Sequence, residues 1–370
     1  MRGITRNIML LFQMKNETKK KGRGHGGVLR SLRTWLRFHN RPGTARACGV
    51  PGSFFPVICC LLSLCFGGLI SVSGAAQEPK LDLAGKKVVW IPVYQGVDLA
   101  VDAVSSPRLQ QVRAARIDTK AKGLRFCSTP RKTDDYQEGS LETVRRQTGT
   151  YLSESGIQLA VNANFFGVPK GEVYDKPGSS DLLGAAVNEG IVVSLPAEGF
   201  PAIYQDKNGK SKIVDGQKPD ADLAGIETAV AGNVIILRGG EILPQGNKAV
   251  HPRTAVGISQ DERYVYLLVI DGRRRGYSEG ANYEEVAAWL KYFGSWDGLN
   301  LDGGGSTAMV IQGNDQKAIY VNRPSGAIPR FNGNNYGVHA QRLPKSLEKR
   351  GMNKLQKSLQ SIQASFDQSP

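Results

Sequence analysis

The chain has 370 residues and a formal net charge of +15, but residues 1–76 hold 12 Lys/Arg against one Asp/Glu, which leaves only +4 for the remainder. With no aromatic-interleaved basic stripe beyond residue 76, that balance excludes charge as an argument for nucleic-acid binding. Four of the five cysteines also lie in the first 76 residues, so Cys127 alone remains, an intrachain disulfide in the body is excluded, and the fold must rest on its own core.

The elements follow in chain order. Phe54 to Ile70 is an apolar run behind basic sequence, and the small residues Ser73-Gly74-Ala75-Ala76 follow it. This is the pattern of a secretory signal with a long n-region. At about 17 residues the apolar core is at the short limit for spanning a bilayer, so residues 1–76 are expected to be a cleaved leader, with an uncleaved anchor as the alternative. Residues 77–343 form the expected catalytic body and residues 344–370 a polar tail, either a frayed helix or disordered.

Within the body, Lys87–Val93, Leu99–Val104 and Gln111–Asp118 read as strands. Ser140 is placed to cap a helix reaching Ser153, with Gly156 as its stop. Ile157–Val161 is a short buried strand that feeds the polar–aromatic turn Asn162-Ala163-Asn164-Phe165-Phe166-Gly167. Leu183–Ser194, Ile226–Leu237, Thr254–Ser259 and Tyr264–Ile270 are strand-rich, the last two joined as a hairpin by Gln260–Arg263. Asn282 with Glu285 predicts a capped helix over Tyr283–Phe293, ended by Gly294. Leu299-Asn300-Leu301 then leads into Asp302-Gly303-Gly304-Gly305-Ser306, and Thr307–Gln312 is a further strand. Many short strands without regular βα alternation predict one α+β domain rather than a doubly wound sheet.

Three successive glycines give up packing and cost about 0.5–1 kcal/mol each in a regular element. That cost fits a place where backbone must come close to something, and it sets Asp302 beside exposed amides. The other strand ends carry Asn162, the Arg253–Thr254 pair, Asp271 and Arg330, and Glu279 lies in the loop before the capped helix. Arginine suits phosphate through its planar donor fork, glycine-loop amides cradle phosphate oxygens, and paired carboxylates suit glycoside cleavage. A site with both features would take a sugar attached through phosphate. The simpler alternatives are a turn at Asp271-Gly272 and a solvated run at Arg273-Arg274-Arg275. The segment lacks the Gly-Lys-[Ser/Thr] of a Walker loop and the second glycine of a nucleophile elbow. No His or Cys spacing suggests zinc.

Taken together, VNANFF at 161–166, HPRTAVGIS at 251–259, LLVIDGRRRGYSEG at 267–280, LNLDGGGSTAMV at 299–310 and the closing Arg330 with Asn335–Val338 resemble the phosphodiester glycosidase family. That family is named for the enzyme that uncovers mannose 6-phosphate by removing N-acetylglucosamine, and it includes exported bacterial proteins with exopolysaccharide roles. The resemblance implies an α+β fold of mixed, largely antiparallel sheets with a pocket at the strand ends. It also implies hydrolysis of a glycosyl-1-phosphodiester to a free sugar and a phosphomonoester. It carries over Asp302 and Asp271 as a carboxylate pair, with Glu279 competing for the acid role. Arg253, with Thr254 beside it, and Arg330 would bind phosphate, Gly303, Gly304, Gly305 and Ser306 would supply amides, and Asn162 would orient a sugar hydroxyl. The family often has glycines where this chain has Ala163 and Asn164, side chains that would narrow or re-pattern the sugar pocket.

The expected substrate is a surface or exopolysaccharide-type glycan, outside the cytoplasm. The alternatives are a glycosidase on a non-phosphorylated acidic glycan and a non-catalytic polysaccharide-binding protein. No cofactor is expected to be required, although Asp302 and nearby carbonyls leave room for Ca²⁺ or Mg²⁺. No nucleic-acid partner is expected, and membrane contact only through an uncleaved signal.

Overall fold

A computed structural model describes residues 81–132 and 141–367, with side chains to residue 361. The leader, Ser140 and residues 368–370 of the tail lie outside the described residues. Alternation of apolar side chains dictates the architecture. In the strand Tyr264–Ile270, Val265, Leu267 and Val269 face one core while Tyr266, Leu268 and Ile270 face another. A strand buried on both faces must sit inside a sheet between two layers.

That sheet has eight strands in the order Ile91–Tyr94, Val97–Val104, Gln110–Asp118, Tyr264–Ile270, Arg253–Ile258, Asp297–Asn300, Val234–Arg238 and Glu241–Ile242. One face packs on helix Tyr283–Phe293 through Val286, Ala287, Trp289 and Leu290. The other packs on a five-stranded sheet ordered Ala318–Tyr320, Met309–Gln312, Leu159–Asn162, Asn335–His339 and Arg125–Ser128. Helix α1 (Thr148–Glu154) covers the far side of this second sheet with Tyr151 and Leu152. Cys127 is buried there as a small apolar group, its thiol pushed up to about 11 by burial. Strand pairings among the described residues are antiparallel, and the fold is α+β.

Helix α2 (Tyr283–Phe293) has the caps its sequence predicts. Asn282 Oδ1 accepts from the Glu285 amide (2.9 Å), Glu285 Oε2 accepts from the Asn282 amide (3.0 Å), and Gly294 closes it at φ 112°. Helix α3 (Lys345–Asp367) occupies the tail and anchors Leu355 against the first strands. The helix expected over Ser140–Ser153 is corrected. Thr143–Val144 pairs as a strand with Ser179–Leu182, Arg146 bridges Asn332, and α1 begins only at Thr148. Tertiary strand pairing claims the backbone donors that a longer helix would have used. The run Leu183–Ser194 likewise divides, at a tight turn where Glu189 and Gly190 take φ 50° and 77°.

This topology sets the site. Arg253 pairs with Ile270, Ala255 with Asn300, and Met309 with Val161, so residues 162, 253, 271, 302 and 308 all gather at one end of the two sheets.

Candidate active site

The loop after Leu301 bridges the two sheets. Leu301 N donates to Thr254 O (2.9 Å), Asp302 N to Ala163 O (2.9 Å) and Gly304 N to Pro252 O (2.8 Å). Asn162 locks the loop from beneath. Its Nδ2 donates to Asp302 O (2.6 Å), and its Oδ1 accepts from Thr254 Oγ1 (2.7 Å) and Ala308 N (3.1 Å). Asn162 and Thr254 are fully buried. The expectation that Asn162 orients a sugar hydroxyl is therefore corrected: its polar atoms are engaged in shaping the loop. Thr254 likewise serves that clamp: its hydroxyl, expected on phosphate, is buried and given to Asn162.

Each of the three glycines meets a different neighbour. A Cβ on Gly303 would lie 2.7 Å from Pro252 O, one on Gly304 (φ 61°) 3.0 Å from an Arg273 guanidinium nitrogen, and one on Gly305 2.5 Å from Arg330 Nη2. The run thus lets one backbone and two guanidinium groups close around a single bend. Arg330 Nη1 donates to Ser306 Oγ (3.3 Å), and the Asp302 carboxylate is hydrogen-bonded by Ser306 and by the Gly303 amide (2.9 Å). Asp302, Gly303, Gly304, Gly305, Ser306 and Arg330 are brought together.

Three expected residues behave differently. Arg253 and Thr254 are neighbours in one strand and point to opposite faces. Thr254 goes to the loop, whereas Arg253 enters the α2 side. There its Nε donates to Ala281 O (2.9 Å), its Nη2 to Ala249 O (2.6 Å), and its guanidinium lies 4.2 Å from the Tyr283 ring centroid. Arg253 is corrected from phosphate ligand to buried anchor. Asp271 is 1% exposed. Its carboxylate accepts from Asn322 Nδ2 (2.8 Å), Arg323 N (3.0 Å) and Tyr277 Oη (2.9 Å). It ties two loops together, and Asn322 extends the tie to Thr307 O (3.3 Å), so Asp271 is a positioning group and not a carboxylate open to substrate. Glu279 is exposed, and its backbone holds Leu109 and Arg273. Ala163 and Asn164 are both buried. Asn164 joins the carbonyls of Leu183 and Ala185 to Asn334 and the Ala231 amide, so neither side chain narrows a pocket, contrary to expectation.

Residues 155–339, half of the chain, match the family model described as phosphodiester glycosidase. The chain belongs to the phosphodiester glycosidase family. It is a hydrolase. Among solved structures it is similar to the catalytic domain of zebrafish N-acetylglucosamine-1-phosphodiester alpha-N-acetylglucosaminidase, auto-inhibited by its pro-peptide, at 18% identity and TM-score 0.48 over 68% of this chain and 84% of that one. A Burkholderia pseudomallei protein provisionally described as exported matches at 14% identity and TM-score 0.46, covering 62% of this chain and 74% of its own. A Synechocystis protein of hypothetical status matches at 15% and 0.44, over 70% and 64%. No curated protein matches significantly.

In this phosphodiester glycosidase, burial pushes the Asp302 carboxyl up to about 6, against the opposing pull of Ser306, Arg330, the Gly303 amide and Arg273. Burial and the neighbouring Arg330 lower the Arg273 pKa, and Asp302 opposes them. Arg273 is the functional candidate that sequence reasoning missed, because three consecutive arginines read as a solvated run. The signal was its place directly after the strand-ending Asp271-Gly272. Its left-handed φ of 59° is uncommon for a residue with a side chain, and it swings the guanidinium onto Gly304. Among the described residues, no group of three or more His, Cys, Asp or Glu converges to hold a metal ion.

Proposed function

We propose that this hydrolase cleaves glycosyl-1-phosphodiesters with ionised Asp302 at the anomeric carbon and Arg273 and Arg330 on the phosphate. The observation that carries the reading is the convergence of one carboxylate and two guanidinium groups on the Gly303–Gly305 bend. The bond from C1 to the phosphate oxygen breaks, its electron pair leaves with the phosphomonoester, and water supplies hydroxide to C1 while its proton passes to solvent or to the phosphate. Positive charge grows at the sugar and negative charge on the leaving oxygen, so Asp302 and the arginines each match a charge that develops in the transition state. The expected amide cradle is not formed by these donors: the Gly303 amide is given to the Asp302 carboxylate, the Gly304 amide to Pro252 O and the Ser306 amide to Gly303 O, so the phosphate falls to the two guanidinium groups. Glu279 is exposed and its backbone holds the Arg273 loop, so the mechanism assigns it no proton-transfer step.

The substrate we propose is a surface or exopolysaccharide-type glycan met after export. The leader pattern supports export; among the described residues no helix is long and apolar enough to cross a membrane. Release of reducing sugar would be measured on a panel of hexose-1-phosphodiesters beside aryl glycosides. Wild-type turnover of the diesters, with none from Asp302→Asn at unchanged fold, is expected. Preference for plain aryl glycosides would replace this reading with a glycosidase on non-phosphorylated glycans, and binding without turnover would replace it with a carbohydrate-binding protein.

A further inference from the structure

One aromatic side chain beside the site, in contact with Arg330, is left open to solvent. Tyr174 is 41% exposed although its ring is fixed on two sides. Phe166 meets it edge-on at 5.4 Å, and the Arg330 guanidinium lies 5.1 Å from its centroid. The loop that presents it is held firmly. Buried Arg145 pairs with Glu172 and donates to Val173 O (3.0 Å), and the Arg145 amide donates to Gly178 O (2.8 Å). A large apolar ring held rigid and left open beside a cationic group is costly for the fold alone and well made for a ligand.

Its position in the row of contacts tells which part of a ligand it would meet. Asp302 touches Ser306, Ser306 touches Arg330, and Arg330 touches Tyr174. A glycosyl phosphodiester has the same linear order of sugar, phosphate and aglycone. We infer that Tyr174 forms the aglycone subsite and takes a leaving group with a ring face, aryl or carbohydrate, stacked beyond the phosphate. This rests on the placement of the sugar at Asp302 and the phosphate at Arg330. Tyr174 is thereby a specificity-determining residue, since it contacts the part of the substrate that departs.

The test compares the phenyl and methyl phosphodiesters of one hexose 1-phosphate on wild type, Tyr174→Ala and Tyr174→Phe. Wild type is expected to favour the phenyl diester in kcat/KM. Tyr174→Ala should shrink that preference about three- to tenfold, chiefly through KM for the phenyl diester. Tyr174→Phe should keep the preference, because stacking needs the ring and not the hydroxyl. An unchanged preference in Tyr174→Ala, or an equal loss on both diesters, overturns the subsite and leaves Tyr174 as a support for Arg330. Hydrolysis of neither diester by wild type overturns the glycosidase reading and the subsite with it.

Discussion

Gly305→Ala separates the folding role of the glycine run from its role at the site. The added Cβ would lie 2.5 Å from Arg330 Nη2, 2.7 Å from its Cζ and 3.0 Å from its Nε. Those atoms end a flexible side chain, so the guanidinium yields and the backbone does not. Gly305, unlike Gly304, is not in the left-handed region. Alanine there narrows the unfolded ensemble and adds about 0.4–1 kcal/mol of stability where its conformation is compatible. The displaced guanidinium loses its alignment on the phosphate. A charge-assisted hydrogen bond contributes about 1.5–3 kcal/mol, and a misplacement of about 1 Å in a positioned group costs on the order of 100-fold. We expect kcat/KM for diester hydrolysis to fall about 10- to 100-fold with the urea midpoint unchanged or slightly higher. Gly303→Ala is the contrast: its Cβ would meet the Pro252 carbonyl at 2.7 Å, backbone that cannot step aside, so stability itself should fall by about 1–3 kcal/mol. A Gly305→Ala enzyme with activity within twofold of wild type would refute the idea that the run exists to admit Arg330. So would a loss of activity that merely tracks unfolding.

Asp302 yields two pH predictions. Its folded pKa of about 6 exceeds the ordinary 3.8, so between those values the native state keeps a proton that the unfolded chain releases, and stability falls as pH rises through the window. Asp302→Asn should therefore match wild type near pH 4 and exceed its stability by about 1–3 kcal/mol at pH 8; thermal melts showing no such divergence would reject the burial argument. With the ionised form proposed to act at C1, wild-type kcat/KM should rise through about pH 6, and a decline there would make Asp302 a proton donor instead. Asn162→Ala strands Thr254 Oγ1, the Ala308 amide and the Asp302 carbonyl, and should cost about 2–5 kcal/mol in urea unfolding; a loss confined to KM would return Asn162 to the substrate. Arg253→Gln should lower stability but leave KM for the diester within twofold, whereas Arg330→Gln should raise KM at least about tenfold. The reverse pattern would restore Arg253 as the phosphate ligand.

The parts of the fold that were legible in the sequence are those whose signals are local. The Asn282–Glu285 capping box and Gly294 bound α2 in the structure as in the sequence, and the unbroken apolar run Tyr264–Ile270 marks a whole strand. The failed helix at Ser140 shows the limit: its apolar spacing was compatible with a helix, but Thr143 pairs with Ser180 and Arg146 with Asn332, partners more than 30 residues away. At the site, Asp302 was legible because three glycines are hard to explain otherwise. The direction of Arg253 was not, since a strand announces that neighbours face opposite ways without saying which face holds the site. Asp271 was misread for a related reason. An aspartate at a strand end looks the same whether its oxygens face substrate or, as here, the Asn322 amide and the Arg323 backbone.

The burial of Asp271 bears on the chemistry itself. A glycosidase that expels an alcohol needs a strong acid to protonate the leaving oxygen, and hence two carboxyl groups flanking the bond. A phosphomonoester leaves far more readily, so its departure needs charge compensation more than a proton. In the proposed mechanism Arg273 and Arg330, whose guanidinium groups close on Gly304 and Gly305, are the groups that supply that compensation. The second aspartate is then free to serve as internal scaffolding, where it fixes the loop that carries Arg273. On this reading the same sequence feature that resembles half of a catalytic pair is the support for the group that makes the pair unnecessary. Asp271→Asn, which keeps the shape and most of the hydrogen bonds, should consequently weaken the enzyme far less than Asp302→Asn does.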